Sequence, residues 1–177
     1  KNILFFGSET ASLDVATMQP LLLGVILKKN IGENEYSNWI ESGKDIYEML
    51  QQKANLETRA QGKKRFFEII FAQPSESLSD LFGQSDWINW INQYKRLKIA
   101  ANPHNEEKPH SNLAWILQST EVQIMYKVWA ALYSNSIAFL TVHDEIIVEV
   151  NNLHRAEWLF NWILSKEFTY YKLNSKM

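Results

Sequence analysis

The stretch Thr141-Val-His-Asp-Glu-Ile-Ile-Val-Glu-Val150 decides how this chain is read. Two runs rich in β-branched residues, 137–142 and 146–150, flank a connection made only of His143, Asp144 and Glu145. That pattern predicts a β-hairpin. Tight hairpins usually turn on Asn-Gly or a similar pair. Here the tip carries an imidazole and two carboxylates, with no glycine. Two acids at the tip of a buried hairpin repel each other unless a cation sits with them. A divalent ion answers that need. Mg2+ takes hard oxygen ligands, usually one or two carboxylates together with substrate phosphates.

Working outward, a second acid lies near the N-terminus. Residues 2–6 read as a strand, 7–9 as a turn, and 10–14 as a strand ending on Asp14. Pro20 fits the first turn of an apolar helix over 21–28, where proline loses no helical hydrogen bond. If strand 10–14 pairs beside the hairpin, Asp14 and Asp144 meet at one edge of a sheet. Two metal ions about 4 Å apart, held by such acids, stabilise the attacking and leaving oxygens of phosphoryl transfer. A plain helix N-cap at Asp14 and a solvated turn at 143–145 fit the same residues.

Between these acids the clearest helix covers 58–72, stopped by Pro74. On it Arg59, Lys63, Phe67 and Phe71 recur every fourth residue, so they form a slowly winding stripe from two cations to two rings. Cations can hold a triphosphate, and a ring can stack on a base or sugar. An amphipathic helix with Phe66, Ile70 and Phe71 in the core and solvated cations is the other reading. Helices are also expected at 45–52, 75–82, 86–98 and 153–166. Residues 30–42 read as irregular, 101–109 as a loop and 168–173 as a last edge strand. A long helix over 112–133 is apolar apart from a polar stretch that includes Gln118 and Glu121. Gln118 suits either a minor-groove contact or an exposed face. Helices interleaved with a small, mostly antiparallel sheet give an α+β architecture.

Composition sets the outer limits. With 177 residues, 46% hydrophobic and 13% aromatic, the chain can bury a substantial core in one domain or two packed lobes. It has no cysteine, which excludes disulfides, thiolate zinc sites and cysteine nucleophiles and agrees with a cytoplasmic location. The longest apolar stretch near the N-terminus, residues 21–27, is too short to cross a bilayer, so no membrane partner is expected. The net charge of −2 argues mildly against nucleic-acid binding, but cations cluster at Arg59, Lys63, Lys64 and Arg65 and again at Lys95, Arg96 and Lys98. The chain starts at Lys1 without an initiator Met, as a fragment of a longer protein would.

The order of these motifs resembles the palm and fingers of family-A DNA polymerases, over roughly residues 10–150. The segment Asp14-Val-Ala-Thr-Met-Gln-Pro-Leu21 is similar to that family's first metal-binding motif, closest to phage- or plasmid-type members. Arg59-Ala-Gln-Gly-Lys63 with Phe67 and Phe71 resembles the fingers helix, and Val142-His-Asp-Glu145 the third motif. The resemblance implies a palm at 1–30 and 110–177 and fingers at about 31–109, with no thumb or exonuclease domain. It implies DNA polymerase activity with Asp14, Asp144 and Glu145 as catalytic acids. Asp14, Asp144 and the Val15 carbonyl would ligate two Mg2+ ions.

Arg59 and Lys63 would hold the phosphates of the incoming deoxynucleotide, and Phe67 would pack on its sugar and base. Phe71 stands where many members have Tyr. Gln118 and His143 would face the primer-template DNA. Gln19 stands at a nucleotide-binding position where many relatives carry Glu, which leaves sugar discrimination open, and Leu21 stands where Arg is common. A thumb region or accessory chain is the further partner implied. A reduced palm-like module that holds nucleic acid or a replication partner without catalysis is the alternative.

Overall fold

The computed structural model describes residues 4–5, 7–74, 85–104 and 106–177. The helix expected over 75–82 lies outside the described residues. The chain divides into two compact units, Lys1–Leu21 with Thr120–Met177, and Leu22–Ser119. The fold class is α+β, as the sequence indicates.

The first unit is built on a five-stranded antiparallel sheet. Its strands are β1 (Leu4–Phe5), β2 (Ser8–Val15), β3 (Phe139–Val142), β4 (Glu145–Glu149) and β5 (Leu173–Lys176). The path runs β1-β2-β4-β3, and β5 also pairs with β2. Gly7 turns the chain from β1 into β2 with a φ of 86°, a conformation glycine adopts without steric cost. Side chains alternate along a strand, and the sequence uses that alternation to make one dry face. Ala11, Leu13 and Val15 of β2 and Ile146 and Val148 of β4 are buried. Helix α7 (Leu153–Glu167) packs on β2 and β4 through Ala156, Leu159, Phe160, Ile163 and Leu164. Burying each of the larger of these side chains contributes about 1.5–3 kcal/mol. Thr10, Ser12 and Asp14 fall on the opposite, open face of β2.

The second unit is helical. It holds most of α1 (Met18–Ile31), then α2 (Glu35–Glu41), α3 (Ile46–Lys53), α4 (Arg59–Phe71), α5 (Asp86–Tyr94) and the first part of α6 (Asn112–Ser134). Tyr36, Trp39 and Trp87 form an aromatic knot with ring centroids 5.1–6.2 Å apart. Helices α3 and α4 pack closely, and the reason is Gly62. A Cβ there would lie 2.0 Å from the Tyr47 carbonyl oxygen, so no larger residue fits without moving backbone.

Several expectations are corrected. Residues 30–42 are not irregular: α2 forms there because Asn34 and Ser37 make a reciprocal capping box, and Tyr36 and Ile40 turn one face into the core. The last strand is not 168–173 but Leu173–Lys176, where the register of β2 fixes it, with Leu173 opposite Val15. The helix expected over 86–98 ends at Tyr94. Lys95 leaves the basic surface group altogether. It is 1% exposed, and its ammonium donates to the Ile69 carbonyl and, at 2.7 Å, to the Ala72 carbonyl at the C-terminal end of α4. It satisfies helix-end carbonyls that the backbone leaves open. Among the described residues no helix is long and apolar enough to cross a membrane.

Candidate functional site

The hairpin of β3 and β4 closes with Val142 opposite Glu145, so His143 and Asp144 alone form the turn. His143 has a φ of 56°, in the left-handed region usually left to glycine or asparagine in such turns. In the turn between β2 and α1, just past Asp14 and Val15, Thr17 has a φ of 58°, which is rare for a β-branched residue. Its hydroxyl donates to the Ala16 carbonyl at 2.6 Å. Strained backbone therefore lies next to both carboxylate segments.

Asp14 is not a helix cap. It lies within β2, with Glu145 of β4 opposite on one edge and Asn174 of β5 opposite on the other. Asn174 Nδ2 donates to Asp14 Oδ2 at 3.4 Å, and Lys176 Nζ lies 3.2 Å from Oδ1. That Oδ1 is sealed from solvent, with the Lys176 ammonium as its ion-pair partner. Val15 ends β2 with its side chain in the core.

Asp144 and Glu145 are half-buried and His143 is exposed. Burial pushes the Asp144 carboxyl above its usual range, and the charges of Asp14 and Glu145 push it further. A backbone hydrogen bond and His143 act against that shift. The end of the sheet thus holds more negative charge than its own partners balance.

One residue of this cluster escaped sequence reasoning as a site residue. Glu121 of α6 accepts a hydrogen bond from Gln19 Nε2 in the first turn of α1. Burial raises its pKa and the charge of Asp144 adds to the rise, while the Gln19 bond and His143 oppose it. The only signal was its place as an acid inside an apolar helix. Gln19 Oε1, on the other side of the amide, is sealed from solvent with no partner.

Among the described residues no three His, Asp or Glu side chains come together as a ligand set for one ion. The pair Asp14 and Asp144 nonetheless suits a hard cation in its chemistry: carboxylate oxygens, one of them sealed from solvent, that repel each other.

In the second unit the stripe on α4 is as spaced in the sequence. Thr58 caps the helix in a reciprocal box with Gln61. Arg59 pairs with Asp45, Nη2 to Oδ2 at 2.7 Å. Lys63 Nζ lies 5.9 Å from the Phe67 ring and 6.0 Å from the Tyr47 ring. Phe67 and Phe71 stack with centroids 5.7 Å apart and planes 10° apart. Phe71 is 41% exposed and so is not core, whereas Phe66, Ile69 and Ile70 are buried on the other side of the helix. Gln118 of α6 is exposed.

Neither a protein-family model nor a curated protein sequence matches this chain. Solved structures do match its fold. One is the POL domain of Pol1 from M. smegmatis in complex with DNA primer-template and dNTP, similar with a TM-score of 0.65 at 12% sequence identity. The match covers 94% of this chain and 38% of that one, so this chain spans well under half of the polymerase it resembles. What the two share at this identity is architecture: the chain has a polymerase-like fold.

Proposed function

We propose that this chain is the core of a template-directed DNA polymerase, adding deoxynucleotides to a primer 3′ end, with residues 1–30 and 110–177 as palm and about 31–109 as fingers. One observation carries the reading. On a sheet with a polymerase-like fold, Asp14 stands in register with Glu145, and Asp144 at the adjoining turn feels the charge of Asp14. In this reading Asp14 and Asp144, with the Val15 carbonyl, would hold two Mg2+ ions. When bound, such ions neutralise charge on the attacking and leaving oxygens of phosphoryl transfer. The protein's own part is positioning and electrostatics. Arg59 and Lys63 bind the triphosphate as charge-assisted donors. Phe67 and Phe71 offer stacked ring faces to sugar and base. His143 and Glu145 lie at the primer terminus, Gln118 meets the primer-template, and Gln19 touches the nucleotide sugar.

The ion pair of Lys176 with Asp14 favours a second reading, a palm-like module that binds nucleic acid without catalysis. Primer extension separates the two. Asp14→Ala and Asp144→Ala should each reduce extension by at least about a thousandfold while far-UV circular dichroism stays unchanged. An Asp144→Ala protein that extends primers at the wild-type rate sinks the polymerase reading. Salt-dependent DNA binding by a wild-type chain with no Mg2+-dependent nucleotide affinity supports the module.

A further inference from the structure

Asp45 stands at the start of α3 with its two carboxylate oxygens given to different tasks. Oδ1 accepts from the backbone N–H of Tyr47 at 2.8 Å and of Glu48 at 3.3 Å, which caps the helix. Oδ2 accepts from Arg59 Nε at 2.8 Å and forms an ion pair with its Nη2 at 2.7 Å. Tyr47 places its ring 5.0 Å from the Arg59 guanidinium and 6.0 Å from Lys63 Nζ. The close approach of α3 and α4 at Gly62 brings these groups together. The start of α3 therefore supplies one carboxylate and one ring that set the two cations of α4 side by side.

We propose that Asp45 is a positioning residue for polyphosphate binding by α4, acting through Arg59. A guanidinium has five N–H donors. Asp45 accepts from Nε and lies 2.7 Å from Nη2, which fixes the plane of the fork and leaves its other donors for phosphate oxygens. The pair is too exposed to matter much for stability, with side chains 46% and 29% accessible, so holding Arg59 is the better account of its geometry. The identity of the ligand as a nucleoside triphosphate rests on the polymerase reading above.

The test is Asp45→Asn. Asn caps helices as well as Asp, so its Oδ1 keeps the α3 cap, while an NH2 that cannot accept from Arg59 replaces the charged Oδ2. Tripolyphosphate with Mg2+ is the probe, titrated by calorimetry into the wild-type and variant chains. The expected result is affinity weaker by about threefold to fivefold, with the melting temperature held. In primer extension the KM for nucleotide should rise by a similar factor, with kcat changed less. Arg59→Ala should weaken binding as well, and adding Asp45→Asn to it should cost nothing further. Unchanged or tighter binding in Asp45→Asn overturns the inference, as does an additive loss in the double variant or a wild-type chain that ignores tripolyphosphate. A wild-type chain that binds tripolyphosphate in this Asp45-dependent way yet extends no primer overturns the polymerase reading and leaves the inference standing.

Discussion

At the end of the sheet, acids crowd together: Asp14 has one cation, Lys176, at 3.2 Å, while Asp144 and Glu121 are pushed toward protonation. Along α4 the cations are well provided for. Arg59 lies on Asp45, and Lys63 lies near two rings. The difference separates two kinds of site. A cluster that carries unbalanced charge is tuned for something the chain does not itself contain. A cluster whose charges are already paired is tuned for geometry, and a ligand adds to it without relieving strain.

The comparison can be broken first at Gly62. Gly→Ala inside a helix normally gains about 1 kcal/mol from propensity. Here the new Cβ would meet the Tyr47 carbonyl at 2.0 Å, and backbone cannot yield as a flexible side chain does. Gly62→Ala should therefore lower unfolding free energy by roughly 2–3 kcal/mol, measured by urea denaturation. A stabilised variant would show that the two helices are free to part and that the cations on α4 are less fixed than described.

Lys95 gives the next effect. Burial pushes its ammonium down to about 8, while the unfolded chain holds that proton to the ordinary lysine value of 10.5. Between those two values the unfolded state binds more protons, so stability rises with pH across that window, by at most about 1.4 kcal/mol per pH unit. Below about pH 8 both states are protonated and the slope vanishes. Urea titrations at several pH values should show this rise in the wild type and its absence in Lys95→Met. An identical slope in the two proteins would place the titration elsewhere.

The smallest expected change is at Asp144. Its carboxyl is raised in the folded state, so ionisation works against folding at neutral pH, and that penalty fades as pH falls through the folded-state value. Asp144→Asn should raise stability at pH 7 slightly in urea denaturation, with the gain shrinking as pH falls. A destabilised variant would mean that the acids are balanced by partners after all.

Much of this was legible in the sequence, for physical reasons that differ by element. The hairpin and α4 show because period and punctuation agree: β-branched runs around a tip of two acids, and an amphipathic run ended by Pro74. Helix α2 did not show because its cap uses Ser37 where Glu or Gln usually signals a capping box, and its polar residues hide Tyr36 and Ile40. The last strand did not show because Phe168 to Leu173 carries the β-forming residues, whereas pairing with β2 selects the polar run that follows. Lys95 reads as one of three surface cations, and only the tertiary fold turns it inward. Glu121 needed the fold as well, since its link to Gln19 spans distant parts of the chain.

The two left-handed residues beside the carboxylates have a last consequence. Conformations such as those of Thr17 and His143 cost about 1–3 kcal/mol each and persist only where surrounding structure insists on them. A short peptide copied from residues 137–150 lacks β2, β5 and α7, so nothing would keep His143 in place and the turn would relax. The arrangement of acids is thus not portable. It belongs to the assembled sheet, and anyone grafting this motif onto another scaffold would have to bring the neighbouring strands with it.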